Sequence, residues 1–259
     1  MLDAHMLLGA YAVGVFPMAE HRAADEVFWV EPKRRAILPL DGFHLSRSLR
    51  KTLAQNRFHV TADTAFGRVI SLCAEAADDR ADTWINPGIE HAFCRLHAMG
   101  YAHSVECWEE DRLVGGLYGL ALGRAFFGES MFSRARDTSK VALAWLVARL
   151  RVGGFTLLDC QFQTDHLASL GAIEISRNAY LGLLSTAIDG AAGLGLAAAG
   201  GAPGAGAASA SGPDCGVGAE SSPSSADFFA LERGAALATT TVSGPVDGKL
   251  IVQLLTQTS

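Results

Sequence analysis

The amino-acid sequence predicts a mixed α/β (α+β) fold, and three observations predict it. From Ala102 to Phe127, apolar runs alternate with breakers: 102–108, a turn at Glu110-Asp111, 113–120, then Gly123 before 125–127. That rhythm is the signature of successive short strands. A helical period over Ser139 to Val152 leads through Gly153-Gly154 into a further apolar run, Phe155 to Gln161, adding a strand, helix, strand unit to the strands before it. Finally, 259 residues that are 49% hydrophobic and 19% charged can bury a real core.

Taken in order, residues 2–13 carry helical spacing and end at Gly14, after which Phe16-Pro17-Met18 must be extended or turning. Tyr11, Phe16 and Met18 are placed to wall a pocket, with simple packing as the competing reading. Phe28-Trp29-Val30 precedes a turn at Glu31-Pro32, and then Lys33, Arg34, Arg35, Arg47, Arg50, Lys51 and Arg57 crowd together with Asp41 as the one acid among them. With Ser46 or Ser48 as cap of a helix to about Gln55, Arg47, Arg50 and Lys51 project from neighbouring faces. Such a group suits a phosphate backbone; a solvated helix face is the alternative.

Residues 58–61 read as a strand and 63–76 as a helix, since Phe66, Val69, Ile70 and Cys73 recur at helical spacing. The acidic loop 78–82 leads to Trp84 beside a turn, where an indole can stack on a base or merely cap the surface. A helix over 89–99 ends at Gly100, and its His91 and His97, six apart, do not share a face, so no metal site is expected. A helix around Leu167 to Ala172 and a segment to Leu184 close the domain. From 189 to 226 the chain is almost wholly Gly, Ala, Ser and Pro, a linker composition; beyond it, 250–255 either docks as a strand or stays loose.

A net charge of -6 argues against a uniformly basic nucleic-acid binder but leaves room for a local basic patch. The five cysteines are odd in number and contain no CxxC pair, which fits reduced thiols rather than a disulfide framework or zinc site. Without a signal-peptide pattern or an apolar membrane span, the expected location is the cytoplasm.

Chemistry gathers at two junctions, 126–133 and 157–161, where apolar strands run into polar residues. On an ideal strand Asp159 and Gln161 share a face and Cys160 takes the other. A buried Asp bonded to a Gln can orient a nucleophile or serve as a structural network. Glu129 is a candidate buried carboxylate in need of a cationic or amine partner. No Ser-His-Asp or Cys-His set stands at informative spacing, so the parts suit transfer of an already activated acyl group to an amine, which is substantially neutral near pH 8.

Several motifs then carry a family resemblance: Tyr11 with 14–17, Phe28 to Pro32, Phe43 to Ser48, Thr83 to Ile85, Leu96-His97 with 100–106, 113–119, 127–133, Ser139-Lys140, 159–161 and 169–172. Over about 5–184 the chain resembles the leucyl/phenylalanyl-tRNA-protein transferases. The resemblance implies a GNAT-like acyltransferase domain (63–188) after a small N-terminal domain (1–62), with 189–226 as linker and 227–259 as a C-terminal segment. It implies transfer of Leu, Phe or, less readily, Met from aminoacyl-tRNA to N-terminal Arg or Lys of acceptor proteins, marking them for degradation, by a monomer with no cofactor. Asp159 and Gln161 then match the catalytic pair and Trp84 the platform for the terminal adenosine. Leu117, Phe126, Met131, Leu143 and Leu158 match the amino-acid pocket with Glu129 beside it, and Arg47, Arg50 and Lys51 match the tRNA-binding cluster. Met18 departs from the family, many members of which have Trp there. The rival readings are a CoA-dependent acetyltransferase, whose Gly-rich pyrophosphate loop is missing from 134–140, and a non-catalytic RNA-binding module.

Overall fold

The computed structural model describes residues 2–75, 82–189, 226–237 and 246–257. The elements run α1 (Ala4–Ala12), β1 (Phe16–Met18), β2 (Phe28–Val30), β3 (Arg34–Ile37), α2 (Arg47–Ala54), β4 (His59–Ala62), α3 (Phe66–Cys73) and α4 (Pro87–Ala98). They continue with β5 (Ala102–Glu109), β6 (Arg112–Leu122), β7 (Ala125–Ser133), α5 (Thr138–Val152), β8 (Leu157–Gln161), α6 (Asp165–Ser169), β9 (Ile173–Ser176) and α7 (Arg177–Asp189). Helices α8 (Ala230–Leu237) and α9 (Gly248–Thr256) complete the described chain.

Local signals set the boundaries. Asp3 caps α1 through His5 and Met6 N–H, Ser46 caps α2 through Leu49 N–H, and Asn86 caps α4 ahead of Pro87. Gly14, at φ +83°, lets the chain reverse after α1.

Strands β4-β5-β6-β7-β8-β3-β9 form one mixed sheet, while β1 and β2 pair in a separate hairpin. All pairings in the large sheet are antiparallel except β7 with β8. The mixed α/β expectation is therefore met. Two strands of the large sheet were not foreseen: β3, concealed in the basic stretch, and β9. The 1–62 stretch contributes β3 between β8 and β9 and β4 at an edge, so it shares the sheet with the residues that follow it.

Side chains from the two sheet faces enter separate cores. Leu7, Tyr11, Phe93, Tyr118, Phe127 and Leu184 belong to one, under α1, α3, α4 and α7. Leu49, Leu117, Phe126, Leu146, Phe228 and Ile251 belong to the other, under α2, α5, α8 and α9. Helix α5 is buried along most of its length, Arg149 included. That guanidinium donates to Phe228 O at 3.0 Å and pairs with Glu232, and lies over the rings of Phe228 and Phe229.

The C-terminal segment is docked, but as helices. Asp247 caps α9 through Leu250 N–H at 2.9 Å, and Ile251 and Leu255, one turn apart, are buried against the core. The apolar run that resembles a strand is thus a short helix with Ile251 and Leu255 on its inner face. The Gly/Ala/Ser-rich stretch and Cys215 lie outside the described residues, apart from the ends of the former. Because Ile251 is fully buried, Ile251→Ala should lower unfolding free energy by about 2–5 kcal/mol in a denaturant titration.

Candidate active site

Parallel pairing of β7 with β8 runs from Ala125↔Leu157 to Phe127↔Asp159. Past that point β7 follows β6 and β8 follows β3, and the residues just beyond, Gly128 to Ser130 and Cys160 to Phe162, line a cavity of about 280 Å³. The site is the opening between two diverging strands.

Each strand is irregular where it meets the cavity. On β7, Tyr118↔Ser130 is followed by Gly119↔Gly128, which leaves Glu129 as an extra residue. A bulge of this kind re-aims a side chain. Gly119 is required there, since a Cβ would lie 2.3 Å from Phe127 O and 2.4 Å from the Phe126 ring. On β8, Ala36↔Gln161 and Ile37↔Asp159 leave Cys160 as the extra residue, and Gln161 takes φ +57°. A left-handed Gln is a strained conformation held by its surroundings.

These irregularities change the expected facing. Gln161 and Cys160 both line the cavity, whereas Asp159 is fully buried behind it. Cys160 is not turned away from the site, although burial, and then Asp159, push its thiol well above the ordinary range. Nor does Asp159 bond the Gln161 side chain: Asp159 Oδ1 accepts from Gln161 N–H at 2.8 Å, and Gln161 Nε2 donates to Glu129 Oε1 at 2.9 Å.

Two further residues hold Asp159. Arg35 Nε donates to Oδ1 at 2.9 Å and Nη2 to Oδ2 at 2.6 Å, Tyr180 Oη donates to Oδ2 at 2.7 Å, and Arg35 Nη1 bonds Gly14 O at 3.1 Å. Arg35 is 1% exposed and is sandwiched by Phe16 and Tyr180, each ring centroid 4.6 Å away. Burial opposes its charge, but Asp159 more than offsets that and raises its pKa. Tyr180 is pushed above its ordinary range by burial and by Asp159, which keeps the phenol a donor. Arg35 therefore leaves the surface cluster in which the sequence appears to put it, because it sits on β3 next to β8. Neither Arg35 nor Tyr180 was singled out as a site residue; the Arg35-Ala36-Ile37 run, a charged residue opening an apolar strand, is the signal that could have found the first.

Burial, reinforced by the Asp159 charge, raises Glu129 to about 8 against the opposing influence of Tyr11, Arg35 and Gln161. Arg35, already paired with Asp159, offsets this only in part, so the carboxyl stays largely protonated at neutral pH.

Of the expected pocket residues, Leu117, Met131, Leu143, Leu158, Phe16 and Trp84 line the cavity, together with Glu129 and Gln161. Met18, Ser130, Leu146, Phe162, Thr164 and His166 join them without having been foreseen as wall residues, Met18 excepted. Phe126 lies outside the lining: its ring stacks on Phe228 at 5.8 Å, in the core beneath α8. Tyr11 is likewise fully buried behind the site, edge-on to Phe127 at 4.9 Å. Arg47, Arg50 and Lys51 are exposed on α2, where they line a separate shallow depression with Leu45 and Ala54.

Folded, Glu129 keeps its proton to about pH 8; unfolded, it releases it near 4.5. Between those values the native chain binds the additional proton, so the carboxyl makes stability fall as pH rises. Glu129→Gln should remove that fall, seen as a flatter dependence of unfolding free energy on pH from about 5 to 8 in parallel denaturant titrations.

Comparison with known proteins gives the family. Residues 37–185 match the model of the leucyl/phenylalanyl-tRNA protein transferase family, and residues 1–33 match the model of its N-terminal domain. A leucyl/phenylalanyl-tRNA–protein transferase of Rhizorhabdus wittichii is 61% identical over 268 residues, covering 100% of this chain and 99% of that protein. The similarly named protein of Zymomonas mobilis is 66% identical over 188 residues, covering 73% of this chain and 70% of its own. The solved structure of L-PGS from Bacillus licheniformis superposes with a TM-score of 0.40 at 10% identity, over 60% of this chain and 65% of that one. The chain belongs to the leucyl/phenylalanyl-tRNA-protein transferase family.

Proposed function

We propose that the chain moves Leu, Phe and, less readily, Met from aminoacyl-tRNA to the N-terminal Arg or Lys of acceptor proteins, which marks those proteins for degradation. The observation that carries this reading is an apolar cavity with a buried carboxyl and a carboxamide bonded to each other in its wall, in a member of an aminoacyl-transferring family. The ester in charged tRNA is already activated, so the reaction asks for placement more than for a strong base or a cofactor.

In this reading the amino-acid side chain occupies the space between Leu117, Met131, Leu143 and Leu158. Trp84 stacks on the terminal adenine, Met18 and Phe16 supplying apolar surface nearby. An ammonium entering near Glu129 favours the ionised form of that carboxyl, whose proton passes to solvent; the carboxylate then takes one proton from the ammonium and leaves a neutral, nucleophilic amine. Gln161, fixed through Glu129 and through its backbone bond to Asp159, orients the attacking amine. Nitrogen bonds to the ester carbonyl carbon, the bond to the ribose oxygen breaks, and the proton released by the amine ends on that oxygen. Asp159 acts as a positioning residue, because its two oxygens already accept from Arg35, Tyr180 and Gln161 N–H.

Arg47, Arg50 and Lys51 hold the tRNA through its phosphates. The division of labour drawn from the sequence, 1–62 for tRNA and 63–188 as a GNAT-like catalytic unit, is functional in this reading, the sheet being shared. The enzyme works in the cytoplasm as a monomer.

Purified protein should transfer label from Leu- and Phe-charged tRNA to a peptide beginning with Arg, and not to one beginning with Asp; no transfer to either would sink the proposal. Gln161→Ala should lower kcat about 100-fold through loss of alignment. Arg47→Glu with Arg50→Glu should raise KM for charged tRNA, leave kcat near its original value, and reduce the slope of log affinity against log salt by about 2.

A further inference from the structure

Gln161 stands in a conformation that its residue type does not favour. Among the described residues, five other than glycine take a positive φ: Asn56, Asp63, Glu110, Asp137 and Gln161. Three of these are Asn or Asp, which tolerate the left-handed region, and Glu110 sits in the exposed turn between β5 and β6. Gln161 alone of the five is buried, and it alone lines the cavity. A residue strained in this way persists only where its surroundings over-determine it.

The surroundings converge on one carboxylate. Asp159 Oδ1 accepts from Gln161 N–H at 2.8 Å and from Arg35 Nε at 2.9 Å, while Oδ2 accepts from Arg35 Nη2 at 2.6 Å and Tyr180 Oη at 2.7 Å. Each oxygen has two donors, so the carboxylate cannot turn about its Cβ–Cγ bond without losing charge-assisted bonds. Arg35 is itself pinned: Nη1 donates to Gly14 O at 3.1 Å, and the guanidinium lies between the rings of Phe16 and Tyr180. The same strand adds a backbone hold, since Ala36, the next residue on β3, pairs with Gln161 on β8. What this grip controls is the direction of a carboxamide. From its left-handed position Gln161 sends Nε2 to Glu129 Oε1 at 2.9 Å, joining the two strands that flank the opening.

We propose that Arg35 and Tyr180 are positioning residues of the transfer reaction: acting through the Asp159 carboxylate, they hold the left-handed turn at Gln161 and thereby aim its carboxamide. This rests on the reading above, in which Gln161 orients the attacking amine, and it extends the machinery to two buried residues that do not line the cavity. The role calls for a fork as well as a charge, because one guanidinium spans both oxygens and an ammonium does not.

The test is a double-variant cycle in the full chain, read as transfer from Phe-charged tRNA to an Arg-started peptide. Arg35→Lys keeps the charge and loses the fork; it should lower kcat about tenfold, the scale of one misplaced hydrogen bond, with little change in KM for either substrate. Tyr180→Phe keeps the ring against Arg35, removes one donor, and should lower kcat by a smaller factor. Arg35→Lys combined with Gln161→Ala should fall no further than Gln161→Ala alone, because the carboxamide that Arg35 aims is then absent. A purely structural loss would multiply the two factors instead. Where Arg35→Lys melts below the assay temperature, Tyr180→Phe combined with Gln161→Ala carries the same comparison. The proposal is overturned if the factors multiply, if both single variants fold and keep full kcat, or if the loss lies in KM alone. Failure of the underlying reading shows separately, as no transfer by the wild-type protein or full kcat in Gln161→Ala, and takes the proposal with it.

Discussion

The ion pair between Arg35 and Asp159 is the constraint on which the rest of the site depends. Both side chains are out of water, at 1% and 0% exposure, where an unpaired charge costs several kcal/mol. Such a pair is tolerated only with its remaining hydrogen-bonding capacity filled, and here Tyr180, Gly14 O and Gln161 N–H fill it. The pair thereby ties together four stretches distant in sequence: the end of α1, β3, β8 and α7. It also bears on the neighbouring carboxyl: burial first, and then the Asp159 charge, lead Glu129 to hold its proton, with Arg35 opposing them only in part.

Much of the architecture was legible in the sequence. The run of strands 102–133, the long helix before Gly153-Gly154, and the strand ending at Gln161 follow from periodicity and breakers that local backbone physics enforces. Of the two candidate caps, Ser46 and Ser48, the structure uses Ser46. Less legible were features that exist only through long-range pairing. Arg35 reads as one more cation in a basic cluster, and nothing within ten residues says that β3 will lie against β8, more than a hundred positions away. The C-terminal apolar run was ambiguous for a different reason: six residues suffice for either a strand or two helical turns, and the deciding contacts are with α2 and α5.

The site was legible in composition and not in direction. Leu117, Met131, Leu143 and Leu158 line the cavity as the motifs implied. Strict alternation along 159–161 assigned Asp159 and Gln161 to one side, and the bulge at Cys160 in β8 overrode it, while a second bulge re-aims Glu129 across the opening. Bulges are set by cross-strand register, which a single strand's sequence does not contain. Phe126 and Tyr11 show the same limit from the other direction. Both belong to strands or helices that reach the site, yet both are occupied in core packing, with Phe228 and Phe127 respectively.

The docking of α8 and α9 bears on when, during synthesis, the protein becomes itself. Ribosomal synthesis releases the chain from its N-terminus onward, and domains ordinarily fold as they emerge. Here the outer side of α5 is covered by Phe228, Leu231, Ile251 and Leu255, and Arg149 acquires its counter-charge from Glu232. A nascent chain that has already made every residue of the cavity still presents an uncovered hydrophobic helix and a buried-to-be arginine without its acid. Leu143 and Leu146 of the cavity wall stand on that same helix, so the covering of α5 by α8 and α9 links residues more than eighty positions downstream to the frame of the site.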